Sequence, residues 1–582
     1  MELSRVEAPG GTRALLRAEH LDGRLLRFAA LLAAVALTLL ALAGGARAAS
    51  SPTTPNSNTP VLVTALHRPP AGYTLTAARV LQIAAADPRV KAELRKHPRA
   101  NPYEYTKGLG TWQVSWFSAD HAQRELLQVY VDDHSARVTQ VWTGFQVAWS
   151  MARGYPGAFG RRVNALYVWL PLCLLFVAPF FWRRRPSLLH LDLLMLLGFS
   201  ISLAFFNHAQ IGLSVPLVYP FLLYLLVRML LLAFGKGVPQ RPLEVRVPTH
   251  WLLSGVVFLL GLRIGLNILN SNVIDVGYAG VIGADKLIHG HLLYGLWPHD
   301  NAYGDTYGPL TYYAYLPFRL IFGWSGRWDA LPAAHAASIV FDLLTVGGLY
   351  VLGRRIRDHS LGVVLMYAWV AYPFTLFALN SNTNDALVSV LVVLCLLTIR
   401  SAPARGVAGA LAGLTKFAPF ALAPLLLRGT GARPRERSAA VYVIAFGATV
   451  FVAMLPVLLN GDLAFFWHDS VAYQSARTTP FSIWGLWGGL GSVQHLLQGA
   501  VVGLAILVAF FPARRGIVEV AALGAAVLIA LQLTVNYWLY PYIVWFFPLV
   551  AVAIFAGHPE RRARLEPAAQ PAQAHPEPVA VA

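Results

Sequence analysis

The feature that most constrains this chain is a series of apolar runs, many of them close to 20 residues long, separated by short arginine-bearing loops. A helix of about 20 apolar residues spans a bilayer core of about 30 Å with its backbone hydrogen bonds satisfied internally. Such runs lie near 163–182, 187–206, 212–234, 251–270, 308–323, 331–352, 361–379, 385–399, 406–427, 439–459, 499–512, 516–534 and 538–556, with one more at 28–43. The expected fold is therefore a mainly α polytopic membrane bundle of about 12 to 14 apolar segments. Composition agrees: 13% of residues are charged, where a soluble protein has about 25%. The excess of cations, +18 overall, does not indicate nucleic acid, because the arginines cluster beside apolar runs in the positive-inside pattern. Cys173 and Cys395 both lie inside apolar runs, which leaves no disulfide framework and no cysteine-based metal site.

Residues 1–48 carry Arg24 and Arg27 before the 28–43 run and Ala46-Arg47-Ala48 after it, the pattern of a cleaved signal peptide or an uncleaved anchor. Either form exports the next segment. Residues 49–160 are polar enough to fold in water, as an α+β domain with a helix over Thr76–His97 and strands at 111–117, 125–132 and 137–142. One helix and a three-stranded meander, with VYVDDHSARVTQVWTG, resembles the small extracytoplasmic PepSY domain; the resemblance implies a binding or regulatory module. Three spans then fill 161–250, a membrane core is expected over 251–558, and the Ala/Pro-rich residues 559–582 are expected to be a disordered cytoplasmic tail.

Arg183, Arg184 and Arg185 place the first membrane loop inside, and Lys236, Arg241 and Arg246 the third, so the 251–270 helix runs outward. Two later segments break the pattern: 308–323 contains two prolines and Arg319, and 406–427 contains Lys416, Pro419 and Pro424. If both cross, Arg354, Arg355, Arg357, Arg400 and Arg405 face outward; if neither does, all five face the cytoplasm, which the charge rule favours. Backbone that enters a membrane without crossing it must be buried or line a cavity, so these segments are candidate walls of a site.

Residue 271 thus emerges outside, followed by Asp275, an interfacial helix over 276–289, and a loop rich in His, Asp and Tyr. Tyr278, Val281, Ile282, Asp285, Ile288 and His289 share one face of that helix. A carboxylate at the outer end of a membrane helix suits general-base activation of a hydroxyl, and the competing role for Asp275 is a helix cap. Asp285 and His289 on that face either bond to each other or face a site as substrate-binding residues, and for His289 and His291 the competing roles are interfacial or structural. A metal site would have to draw on Asp285, His289, Asp300 and Asp305, whose spacing gives no tight ligand set, so no cofactor is assigned.

The outside Asp, ADKLIHGHLLYG, TYGPLTYYAYLPF, LNSNTNDALVSVLVVL, GALAGLTKFAPFALAPLLL, TTPFSIWGLWG and NYWLYPYIVWFFPLV follow one another over residues 251–556. In that order they resemble the integral membrane glycosyltransferases of the GT-C superfamily, and among them bacterial polyprenyl-phosphate-mannose transferases. The resemblance implies a polyprenyl-phosphate sugar donor, a lipid or glycan acceptor, inverting transfer on the outer face of the plasma membrane, and an outside Asp, here Asp275, as base. Three spans after the signal or anchor and an exported domain depart from the usual pattern.

Chemistry assigns the remaining roles. A departing lipid phosphate needs a cation, and an intramembrane lysine is costly enough to suggest function, so Lys416 is either that cation or a snorkelling side chain. Arg477, with His468 and Gln474 in one outside loop, offers a fork that fits two phosphate oxygens or a lipid headgroup. Asn384 and Asp385 open an apolar span and either bind sugar hydroxyls or cap it. Tyr307, Trp484, Trp487, Tyr537 and Trp538 suit sugar stacking or an interfacial aromatic belt. Two rival functions remain: a flippase or transporter for a lipid-linked glycan, which would favour an internal repeat that the sequence does not display, and a membrane-anchored sensor or scaffold built on the exported domain.

Overall fold

The structure, a computed structural model, describes residues 60–557 except 109, 121–123, 155–158, 182–184, 237–244, 432–435 and 478. The apolar run at 28–43, Arg183, Arg184, Arg241 and the tail from 559 lie outside the described residues. The architecture is the expected one, a helical membrane bundle with a small α+β domain before it.

That domain is larger than the meander expected for it. β1 (Val61–Leu62), β2 (Asn101–Thr106), β3 (Thr111–Phe117), β4 (Glu125–Asp132) and β5 (Arg137–Thr143) form one antiparallel sheet in sequence order. β2 escapes a pattern search because only Glu104 of its six residues is buried, so no apolar alternation marks it. The single expected helix is two, Ala77–Ala86 and Pro88–Lys96. Proline at 88 drives Asp87 into extended backbone, and its carboxylate then caps the second helix through the Arg89 amide. Trp112, Val114, Trp116, Leu127, Val129 and Val131 form a core of their own with Ala77, Val80, Ala84 and Val90.

Seven helices among the described residues are long and apolar enough to cross a membrane: Leu188–Phe206, Ile211–Ala233, Thr249–Leu269, Pro332–Ile356, Glu436–Leu459, Gly491–Phe510 and Ile517–Thr534. His359–Ala371 and Pro373–Asn380, bent by 58°, would make an eighth. The bend has a local cause, since Pro373 excludes Tyr372 from helical backbone. Leu166–Phe181, Asp385–Leu397 and Ile543–Phe555 are shorter apolar helices packed in the same bundle.

The two irregular segments are short or broken. Pro309–Phe322 has 14 residues, about 21 Å of helix and less than a bilayer core, and the second segment breaks at Lys416 into Ala402–Thr415, also 14 residues, and the shorter Ala418–Leu422 and Ala423–Arg428. Their tips meet: the Gly308 amide and the Thr311 hydroxyl both donate to the Thr415 carbonyl, at 3.1 and 2.8 Å. A Cβ on Gly308 would stand 1.9 Å from the Leu414 carbonyl oxygen, so only glycine allows this approach.

Several charges inside the bundle hold helices together. Arg228 pairs with Asp192 at 2.9 Å, Arg263 forks onto Asp342, and Arg405 donates to the carbonyls of Leu426, Leu427 and Ile399. Buried and satisfied in this way, they are structural.

Candidate functional site

Asn270–Ile274, which leaves the Thr249–Leu269 helix, is moored to the loop after Pro373–Asn380. The Asn272 and Ile274 amides donate to the Asn380 and Ser381 carbonyls, each at 3.3 Å. Asn267 donates to the Asn382 side chain at 2.9 Å, and Asn382 donates to the Asn272 carbonyl at 2.9 Å. Asn382 takes a left-handed backbone, φ +49°, which asparagine tolerates. Gly277 closes the contact, since a Cβ there would lie 2.1 Å from the Asn382 carbonyl oxygen. These contacts fix the start of the Asp275–Ile288 helix, whose cap is Ile274 and whose first residue is Asp275.

Asp275 opens onto a cavity of about 970 Å³, lined also by Asp300, Tyr307, Thr383, Asp385, Lys416, Gln474, Arg477, Tyr537 and Tyr542. The carboxyl is accessible from the cavity yet ringed by protein. Burial raises its pKa above the ordinary carboxylate range, while the Val276 amide and the charges of Arg477 and Lys416 pull it back. No ion pair engages it among the described residues, so it is free to exchange a proton with a bound hydroxyl.

Lys416 follows directly on the Ala402–Thr415 tip. Its ammonium donates to Asp385 Oδ1 at 2.6 Å and lies 5.3–5.4 Å from the ring centres of Tyr307, Tyr542 and Trp545. Asp385 Oδ1 also accepts from Trp545 Nε1 at 2.7 Å, so the carboxylate is committed to protein partners and positions the lysine. Arg477 is held differently. Its guanidinium lies 3.9 Å from the Tyr537 ring centre and 5.7 Å from that of Tyr473, and among the described residues no carboxylate pairs with it. A stacked guanidinium keeps its N–H edge available for an anion.

Of the residues singled out by sequence, Asp275, Tyr307, Asp385, Lys416, Gln474 and Arg477 thus share one cavity, with Asp300 and Tyr537. Asp285, His289, His468 and Asn384 are not among the residues that line it. Asp285 receives Arg319 at 2.6 Å, and His289 is exposed and hydrogen-bonds back to the Asp285 carbonyl. His468 is exposed and pairs with Asp469 at 2.6 Å. Asn384 is fully buried, and among the described residues neither side-chain atom has a hydrogen-bond partner and it makes no cap bond. The shared helix face is also shorter than the wheel suggests: Tyr278, Val281 and Ile282 are buried, but Ile288 and His289 face outward. Trp484 and Trp538 donate to Leu533 and Gln532 within the fold, and Trp487 is exposed, whereas Tyr537 lines the cavity.

Of the four residues considered for a metal, Asp285 and His289 adjoin at 3.5 Å, and Asp300 and Asp305 have separate partners. Asp285 is taken by Arg319, Asp300 accepts from Tyr278, and Asp305 accepts from the Gly295 amide. Among the described residues no group of three or more His, Cys, Asp or Glu side chains is placed to hold a metal ion. Asp305 is buried against Asp469, and burial with that neighbouring charge raises its pKa to about 6.

Sequence reasoning missed Thr383, Tyr542 and Trp545, and a whole wall of the cavity. Lys107, Thr111, Tyr130, Thr139 and Gln140 of the sheet domain line it too, with Trp149 and Met151 of the following segment. Nothing local in those strands signals that they meet a site in the membrane half.

The sequence model of glycosyltransferase family 87 matches residues 306–539. The matched region, under half of the chain, includes Tyr307, Asp385, Lys416, Gln474 and Arg477 but begins after Asp275 and leaves out the sheet domain. No curated protein matches the chain. The family match and the apolar helices together support a multi-pass membrane glycosyltransferase, and a membrane family of this kind implies a lipid-linked sugar donor.

Proposed function

We propose that this membrane glycosyltransferase moves a mannose-like sugar from a polyprenyl phosphate to an acceptor hydroxyl on the extracytoplasmic face, with inversion and with Asp275 as general base. The observation that carries the reading is the convergence on one cavity of a lysine with a carboxyl and a stacked arginine, neither of which is in an ion pair among the described residues. An inverting displacement needs these groups: a base for the incoming hydroxyl and cations for the departing phosphate.

In this reading the acceptor O–H proton passes to an Asp275 carboxylate oxygen as the oxygen attacks the anomeric carbon. The bond from that carbon to the phosphate oxygen breaks, and the electron pair leaves with the lipid phosphate. Arg477 takes two of its oxygens, and Lys416, steadied by Asp385, adds a second charge. Tyr307, Tyr537 and Gln474 bound the sugar. The sheet domain, PepSY-like, lies outside the membrane with the cavity, and the C-terminus lies in the cytoplasm. The test is transfer by the purified chain from a polyprenyl-phosphate mannose, with the anomeric configuration of the product read by NMR. A retained configuration, or no transfer at all, overturns the proposal.

A further inference from the structure

The sheet has two unlike faces. Trp112, Val114, Leu127 and Val129 pack against its helices, while Gln113, Ser115, Gln128 and Tyr130 alternate with them on the other face and are also buried. A buried polar sheet face requires partners or a ligand. It is partly wired: Lys107 Nζ donates to Tyr130 Oη at 3.1 Å, Tyr130 Oη donates to Gln128 Oε1 at 3.1 Å, and Arg153 Nη2 donates to the same oxygen at 2.7 Å.

Where this face meets the cavity, three groups keep bonding capacity. Trp142 Nε1 donates to Gln140 Oε1 at 3.0 Å, which fixes the amide while its N–H groups have no protein partner among the described residues. Lys107 has no carboxylate partner among them either, and Tyr130, whose Oη keeps one lone pair beyond the bonds above, lines the cavity. The Trp149 ring, braced edge-on at 4.8 Å by Phe481, completes the wall.

Among the described residues this wall contains hydroxyl, amide and ammonium groups with an aromatic ring, the guanidiniums of Arg153 and Arg161, and no carboxylate; Arg153 is spent on the Gln146 and Val147 carbonyls and on Gln128. The phosphate-seeking cations Arg477 and Lys416 come from the membrane half. The cavity therefore has two walls of different origin, one from the membrane half that carries Asp275, Lys416 and Arg477 and one from the sheet domain that is rich in hydrogen-bonding groups, and about 970 Å³ exceeds what one sugar ring fills.

Building on the transferase reading above, we infer that the sheet domain forms an acceptor subsite for a glycan longer than one sugar, bound through Lys107, Tyr130 and Gln140. The bound chain presents its terminal hydroxyl to Asp275, and its inner sugars lie along the sheet wall. Specificity for a carbohydrate acceptor then comes from the domain that the family match leaves out.

The test uses the full chain in detergent with a polyprenyl-phosphate mannose and two acceptors, octyl α-mannoside and the octyl glycoside of a linear mannotriose. The wild type is expected to show a kcat/KM at least about 10-fold higher for the trisaccharide, because each neutral hydrogen bond is worth about 3- to 10-fold. Gln140→Ala and Tyr130→Phe should each lower that ratio by about the same factor, through the trisaccharide KM. Arg477→Lys, on the donor side, should depress both acceptors alike and keep the ratio. A wild-type ratio near one, or a ratio unchanged in both variants, overturns the subsite. No transfer to either acceptor by the wild type defeats the transferase reading instead. If Gln140→Ala fails to fold, Tyr130→Phe, which keeps the ring, decides the matter.

Discussion

Replacing Asp275 with Asn removes the proton acceptor while keeping side-chain size. General-base assistance contributes about 10²- to 10⁴-fold, so kcat should fall by that factor, about 2.7 to 5.5 kcal/mol of lost transition-state stabilisation. The surroundings indicate where the loss should not appear. Asp275 shares its cavity with Arg477 and Lys416, and its charge opposes an incoming lipid phosphate. A neutral Asn relieves that repulsion, so the donor KM should stay level or fall while kcat drops. Stability should move little, because the variant gives up a favourable charge at a helix N-terminus, about 0.3–1 kcal/mol, and also sheds the desolvation that raises the carboxyl pKa. The wild-type rate should rise with pH through that elevated pKa, and this limb should vanish in the variant. The assay is steady-state transfer in detergent with donor and acceptor varied separately, beside a thermal melt. A variant with full turnover and an intact melt refutes the base assignment. It would leave Asp275 as the opening residue of its helix, which Asn replaces at little cost.

Arg477→Lys keeps the charge and loses the planar fork, so it should cost nearly as much activity as Arg477→Ala if the phosphate is held by two bonds; near-wild-type transfer with Lys would refute the bidentate contact. Asp385→Ala should destabilise the chain by about 3–5 kcal/mol because it strands Lys416 in a buried aromatic cage. Adding Lys416→Met should recover the melting temperature but not the transfer, and recovery of both would remove Lys416 from the phosphate site. Asp305, with its pKa raised to about 6, favours the folded state in its neutral form. That contribution is complete below the ordinary carboxylate pKa and is lost as pH rises through about 6, so the melting temperature should decline over that window. Asp305→Asn should flatten the decline, and an unchanged profile would refute the assignment.

The membrane fold was legible in the sequence because a bilayer leaves the backbone few options. The runs expected at 187–206, 212–234 and 516–534 are helices at Leu188–Phe206, Ile211–Ala233 and Ile517–Thr534, within one residue at each end. Alternation of apolar with polar residues marked β3, β4 and β5, although both faces of β3 and β4 are buried, whereas β2, with one buried residue in six, carried no such mark. Residue chemistry also nominated Asp275, Lys416 and Arg477, since an unusual charge beside an apolar run demands a reason whatever surrounds it. Only the tertiary structure decided which nominees lie together in one cavity. Asp285 and Asp275 look equivalent in sequence, but Arg319 reaches one, and among the described residues no ion pair engages the other. Lys416 and Asp385, 31 positions apart, become a pair because the end of the Ala402–Thr415 helix packs beside the start of Asp385–Leu397. The sheet domain became a wall of the cavity in the same way. Hydrophobic periodicity is written along a segment, whereas the partner that neutralises a charge, or the strand that closes a cavity, is fixed by distances through space that no local pattern encodes.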